Sequence, residues 1–150
     1  SARESLLDID CKFMAELKKN SEMKFILALE IPFTSLCPCS KEISEYGAHN
    51  QRSICRVKLE FKNISDIKIF ELIDLIESQG SAKIYPILKR EDEKFVTESA
   101  YNNPKFVEDI LRDVVIALRE EKNISAFEVE CENFESIHNH SAFAYHKEIC

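Results

Sequence analysis

The sequence predicts an α+β domain, an antiparallel sheet with two helices on one face. Three observations carry this. Residues 23–34 and 53–62 alternate apolar and polar side chains, the period of a half-buried strand. Two later segments, 65–78 and 103–122, repeat their apolar residues at helical spacing. Alternation then returns at 127–131 and 143–149. The order strand, strand, helix, helix, strand, strand places the helices as one layer against a sheet of neighbouring strands.

The elements follow in order. Residues 5–19 fit two patterns: Leu6, Ile9, Phe13 and Leu17 make a helical face, while Leu7, Ile9, Cys11 and Phe13 alternate as a strand. In the first clear strand Phe25, Leu27, Leu29, Ile31 and Phe33 share one side. In the second, Cys55, Val57, Leu59 and Phe61 face one way and Ile54, Arg56, Lys58 and Glu60 the other, so the two strands are expected to pair antiparallel. Ser65 suits the N-cap of a helix reaching about Ser78, with Ile67, Phe70, Ile73 (or Asp74) and Ile76 or Glu77 on its period and Gly80 as its stop. An apolar piece, Ile84 to Leu88, precedes a charged run, Lys89 to Lys94. Asn103-Pro104 reads as the start of a second helix reaching about Lys122, which buries Val107, Leu111, Val114 (or Val115) and Leu118. Phe127, Val129 and Cys131 make a third strand, and Phe143 and Tyr145, continued by Lys147 and Ile149, a fourth.

Bulk properties bound the function. The 150 residues suffice for one domain with a modest core. A net charge of −7 disfavours nucleic acid or an anionic membrane as the main partner, yet a few local cations still suffice for a nucleotide. No apolar run reaches membrane-spanning length, and no signal peptide is visible at the start. Six cysteines without a dense framework fit a reducing cytoplasm.

Residues 34–53 stand out. They form a long connection between two strands, and such connections are often functional. Cys37 and His49 are soft and borderline metal ligands on a loop held by rigid elements. Taken alone, Cys37 would read as a small buried apolar residue and His49 as an exposed loop residue. Within Leu-Cys-Pro-Cys, among polar neighbours, a ligand is the better reading for Cys37, with Cys39 as its rival. Gly47 and Ala48 let the backbone turn tightly before His49. Glu93 lies in a charged run that would ordinarily be a solvated turn. Glu108 lies where acids are favoured by the helix dipole. Glu135, His138 and His140 crowd a segment between two strands, where a carboxylate three residues from a His can orient it.

The stretch TSLCPCSKEIS followed by YGAHNQRS resembles the signature of the type IB GTP cyclohydrolases, the prokaryotic enzymes that open folate synthesis. The resemblance continues through LKREDEKFVTESAYNNPKFVED (88–109) and ENFESIHNHSA (132–142). It implies the tunnelling fold, whose unit is ββααββ, and chains of two related modules of which this sequence covers the C-terminal one. The chain opens on Ser1 directly into a patterned segment, which fits a piece of a longer protein.

The resemblance also implies roles. Cys37, His49 and Glu93 match the metal site, a set that permits Zn, Mn or Fe and leaves a position open for water. Cys37 matches the functional cysteine, so Cys39 falls to a supporting place. His138 matches the general acid/base and Glu135 its nearby carboxylate, with His140 in support. Glu108 matches the acid that accepts from N1–H and the 2-amino group of guanine. Lys41, Arg52, Lys89 and Arg90 are candidates for the triphosphate, simply as cations. GTP is then the substrate, and sites form between modules of a homo-oligomer, a dimer or tetramer. Two other readings compete. One is the related nitrile reductase of queuosine synthesis, disfavoured because its Glu-(Ser/Leu)-Lys run is absent. The other is a purine-binding or assembly module without catalysis.

Overall fold

The computed structural model describes residues 7–17, 19 and 23–150. Five antiparallel strands lie side by side in chain order: β1 (Asp10–Glu16), β2 (Lys24–Leu36), β3 (Asn50–Phe61), β4 (Ile124–Asn133) and β5 (Ala142–Ile149). Among the described residues four α-helices accompany them: α1 (Pro38–Ile43), α2 (Ile69–Glu77), α3 (Arg90–Asn102) and α4 (Val107–Arg119). The α+β class and the antiparallel pairing of β2 with β3 are as the sequence predicts.

The core forms on one face of the sheet. Leu27, Leu29, Ile31 and Phe33 of β2, Val57 and Leu59 of β3, and Phe127 and Val129 of β4 meet Leu72 and Ile76 of α2 and Ile110, Val114 and Leu118 of α4. The opposite face carries ion pairs. Arg56 donates to Glu130 at 2.7 Å and Glu132 at 2.9 Å, which holds the Glu132 carboxyl below the usual carboxylate range. On the helix-covered face, Arg119 ties the end of α4 to Glu148 of β5, the cross-strand partner of Phe127, and this guanidinium, helped by His146, pushes the Glu148 carboxyl down to about 2.

Several expected boundaries move. The ambiguous N-terminal segment is a strand, β1, paired from Asp10↔Glu30 to Glu16↔Lys24. Phe13 and Leu17 stay exposed, so a helical face there would have had little to bury against; Leu6 lies outside the described residues. Ser65 does not cap an α-helix. It sits in a 3₁₀ turn, Ile64–Asp66, where Asn63 Oδ1 accepts from its N–H at 3.0 Å. The helix α2 starts at Ile69, its inward stripe is Ile69, Leu72, Ile73 and Ile76, and Phe70, expected inward, is exposed. The charged run is not a turn but the start of α3, with Glu91, Asp92 and Glu93 in the first turn, where the helix dipole favours acids.

Asn103-Pro104 links two helices instead of opening one. Asn103 Nδ2 donates to Gly80 O at 3.0 Å and Lys105 N to Leu36 O at 3.1 Å, so this segment is held extended against the end of β2. The helix α4 begins only at Val107, where Asp109 Oδ2 accepts from Phe106 N at 3.2 Å. Among the described residues four α-helices thus replace the two expected, with α2 and α4 supplying the buried helical residues of the core.

Gly80 lets the segment after α2 approach β2. A Cβ there would lie 2.6 Å from Cδ2 of Phe33, a fully buried ring. Gly80→Ala is expected to destabilise the fold by about 1–3 kcal/mol through overpacking. A lower urea midpoint at unchanged slope would register it; an unchanged midpoint would show that Phe33 can move aside.

Candidate active site

The site grows out of the sheet's inward face. Toward one end, the cross-strand rows of β2 and β3 run Ile31↔Cys55, Phe33↔Ser53 and Ser35↔Gln51. Apolar pairs give way to polar ones. Ser35, Gln51 and Ser53 are all buried, which requires that they satisfy one another. Ser35 Oγ and Ser53 Oγ lie 2.8 Å apart, and Gln51 Nε2 donates to Ser35 Oγ at 2.9 Å.

The next rung is Cys37 and His49. The last paired residues of the ladder are Leu36↔Asn50, and beyond them Cys37 N donates to His49 O at 3.1 Å. Residues far apart in sequence are therefore cross-strand neighbours, with side chains within roughly 5 Å at their Cβ atoms. The intervening loop is compact. Pro38 opens α1, Ser40 N donates to Cys37 Sγ at 3.4 Å, and Ser40 Oγ accepts from His49 N at 3.2 Å. Gly47 has φ +128°, which an L side chain rarely adopts.

Two further segments converge on this rung. His49 Nδ1 lies 3.0 Å from Gln51 Oε1 and 3.1 Å from Ser136 Oγ, which brings the loop after β4 to the histidine. That loop is anchored where Phe134 N donates to Arg52 O at 2.9 Å. Within it Glu135 is half-buried, while His138 and His140 are exposed and stack with ring centroids 5.3 Å apart. The other segment is the start of α4, since Lys105 is bonded to Leu36, the neighbour of Cys37. Glu108 stands exposed one turn further on. Asp109 and not Glu108 caps the helix, so Glu108 is spared that duty.

The remaining expected residues fall elsewhere. Glu93 is in the first turn of α3, whose far end meets α1 through Lys41 Nζ and Tyr101 O at 2.5 Å. A separation of eight positions puts Glu93 about 12 Å along the helix axis from Tyr101. Among the described residues no three His, Cys, Asp or Glu side chains gather as a metal-binding group. Lys41 also covers the Tyr101 ring, 4.3 Å from its centroid, and is thus engaged in packing. Lys89 and Arg90 are exposed at the start of α3. Arg52 is exposed on β3, where strand alternation turns it away from Gln51 and Ser53. Cys39 is exposed on α1.

The model of the type I GTP cyclohydrolase folE2 family matches residues 1–144. The chain belongs to this family. It is 54% identical over 144 residues to the GTP cyclohydrolase FolE2 of Geotalea uraniireducens, covering 96% of this chain and 52% of that protein. It is 55% identical over 141 residues to GTP cyclohydrolase FolE2 of Neisseria gonorrhoeae, covering 94% and 54%. The FolE2 of Magnetococcus marinus is 52% identical over 145 residues, covering 97% and 54%. The chain spans about half the length of the curated relatives it matches.

For this FolE2-family chain, sequence reasoning missed Ser35, Gln51, Ser53 and Ser136. The signal for three of them was present. They are polar residues at inward positions of β2 and β3, where the alternation would otherwise place apolar ones. Ser136 carried no comparable signal, because its contact with His49 depends on how the loop after β4 folds back.

Proposed function

We propose that this chain is the C-terminal module of a GTP cyclohydrolase that converts GTP and water to formate and 7,8-dihydroneopterin triphosphate, the first step of folate synthesis. The observation that supports it most is the meeting of the Cys37–His49 rung, the Ser136 loop and the start of α4 at one end of the sheet. Each segment carries one of the chemistries the reaction needs.

Cys37 and His49 fit a divalent ion such as Zn, Mn or Fe. One offers sulfur and the other an imidazole whose Nδ1 is already engaged, leaving Nε2 for a ligand bond. Glu93 is the third ligand in this reading. Such an ion would act as a Lewis acid that activates water at neutral pH. Glu108 accepts the N1–H and 2-amino protons of guanine and so turns C8 toward Cys37 and His49. His138, oriented by Glu135, moves protons at N7 and at the groups that depart. Lys89 and Arg52 serve the triphosphate.

The assembly is a homo-oligomer, a dimer or tetramer, formed by two-module chains. Edge strand β5 supports this, with Phe143, Tyr145 and Ile149 exposed along it. The six free cysteines support a cytoplasmic location. No described helix is long and apolar enough to cross a membrane. A second reading, a purine-binding module without metal, draws on the lack of a three-ligand group among the described residues.

The test is GTP turnover, read as fluorescent neopterin after oxidation, with Zn, Mn or Fe restored after chelation. It is run on this chain and on a longer protein containing it. Metal-dependent product is expected. Silence from both, with guanine nucleotide still bound, would replace the enzyme with the binding module.

A further inference from the structure

We propose that Gln51 is the residue that positions His49, holding the imidazole as the Nδ1–H tautomer so that Nε2 presents a lone pair to the metal; this rests on the metal-site reading above. Gln51 is 7% exposed, and its amide has two defined neighbours. Nε2 donates to Ser35 Oγ at 2.9 Å, and Oε1 faces His49 Nδ1 at 3.0 Å. Ser35 is itself fixed by Ser53 Oγ at 2.8 Å, and both serines are fully buried. With the nitrogen committed to Ser35, the group facing the histidine is an oxygen, which can only accept. Nδ1 must then carry the proton, and Nε2 is left unprotonated.

The arrangement has the form of a supporting shell around a metal ligand, in which the ring nitrogen that does not bind the ion donates to a fixed acceptor. Here the acceptor is a buried amide. It is anchored in the sheet by rigid strands, so the ring plane is set by β3 and not by the loop. Ser136 Oγ, 3.1 Å from the same Nδ1, adds a contact from the loop after β4. That serine is exposed and lies on a turn, whereas Gln51 belongs to a strand, so Gln51 dominates the positioning.

The test has two readouts on the same protein and its variants. The first is the His49 tautomer in the metal-free chain, from long-range ¹H–¹⁵N spectra of the ring. The second is affinity for Co²⁺, from competition with a chelator, together with the cobalt absorption bands of a thiolate site. The parent is expected to show the Nδ1–H tautomer. Gln51→Met, which fills the same space but accepts weakly at best, is expected to shift toward the Nε2–H form and to bind Co²⁺ about 10- to 100-fold more weakly. Gln51→Glu keeps an acceptor toward His49 and is expected to keep both properties; if the Met variant does not fold, the tautomer of the parent still decides. Ser136→Ala is expected to change neither by more than about threefold.

An Nε2–H tautomer in the parent, or an unchanged tautomer and affinity in Gln51→Met, would overturn the role of Gln51. An Nδ1–H tautomer that depends on Gln51, in a chain that takes up no Co²⁺, would instead retire the metal reading, and with it the purpose proposed for Gln51.

Discussion

Replacing Cys37 with Ser is expected to abolish metal uptake and to lower GTP turnover by more than about 100-fold, beyond what loss of a supporting residue costs. The choice of Ser over Ala follows from the local structure. Cys37 is also the N-cap of α1, its sulfur accepting from Ser40 N. Ala would remove the cap as well as the proposed ligand, at a cost of about 1 kcal/mol of helix stability. A serine hydroxyl caps a helix well but is a poor ligand for a soft or borderline ion at neutral pH. Cys37→Ser thus separates the chemistry from the fold. Cys39→Ser is the matched control, since Cys39 is exposed on the same helix, and near-parent turnover is expected. Equal losses in the two variants would mean that the loop, and not one sulfur, is what matters. Metal content by mass spectrometry and single-turnover rates measure both.

Much of this architecture can be read from the chain because strands announce themselves. The parity of Leu27 to Phe33 and of Cys55 to Phe61 fixes which faces are buried, and the pairing of β2 with β3 follows. The helices were harder to place, for identifiable reasons. Ser65 has the chemistry of a cap, but Asn63 uses it to close a 3₁₀ turn, which delays α2 to Ile69. Pro104 has the chemistry of a first helical residue, but hydrogen bonds from Asn103 and Lys105 hold the chain extended until Asp109 can cap α4. In both places tertiary contacts override a sound local signal.

The site was legible by residue type but not by geometry. Cys37 and His49 suggest ligands on sight, yet that they are adjacent follows only from the ladder running one rung past Leu36↔Asn50. Glu93 has no signal of its own beyond the resemblance, since acids in a first helical turn are ordinary. Ser35, Gln51 and Ser53 were overlooked because alternation was read for its apolar members alone. A buried polar residue at an inward position is the more informative observation.

Glu108 carries the second large expected effect. Glu108→Ala is expected to lower kcat/KM for GTP by at least about 10³-fold and to erase most of the preference for GTP over ATP. Glu108 is exposed in the free chain, so it is the bound base that would cover it; a polar group so covered and matched to a substrate's donors rejects an analogue lacking them by about 10⁴–10⁵-fold. A carboxylate facing N1–H and the 2-amino group is such a match, and adenine offers neither donor in that place. Glu108→Gln sharpens the argument. Its amide keeps one acceptor but turns an N–H toward the second guanine donor, so inosine triphosphate, which lacks the 2-amino group, should suffer less from this change than GTP. The neighbouring acid supplies the control. Asp109 caps α4 through Phe106 N, so Asp109→Ala is expected to cost about 1 kcal/mol of stability and to leave base preference unchanged. Steady-state kinetics with the three nucleotides, beside urea unfolding of each variant, separate the roles. Loss of base preference in Asp109→Ala, or its retention in Glu108→Ala, would move the recognition of guanine away from Glu108.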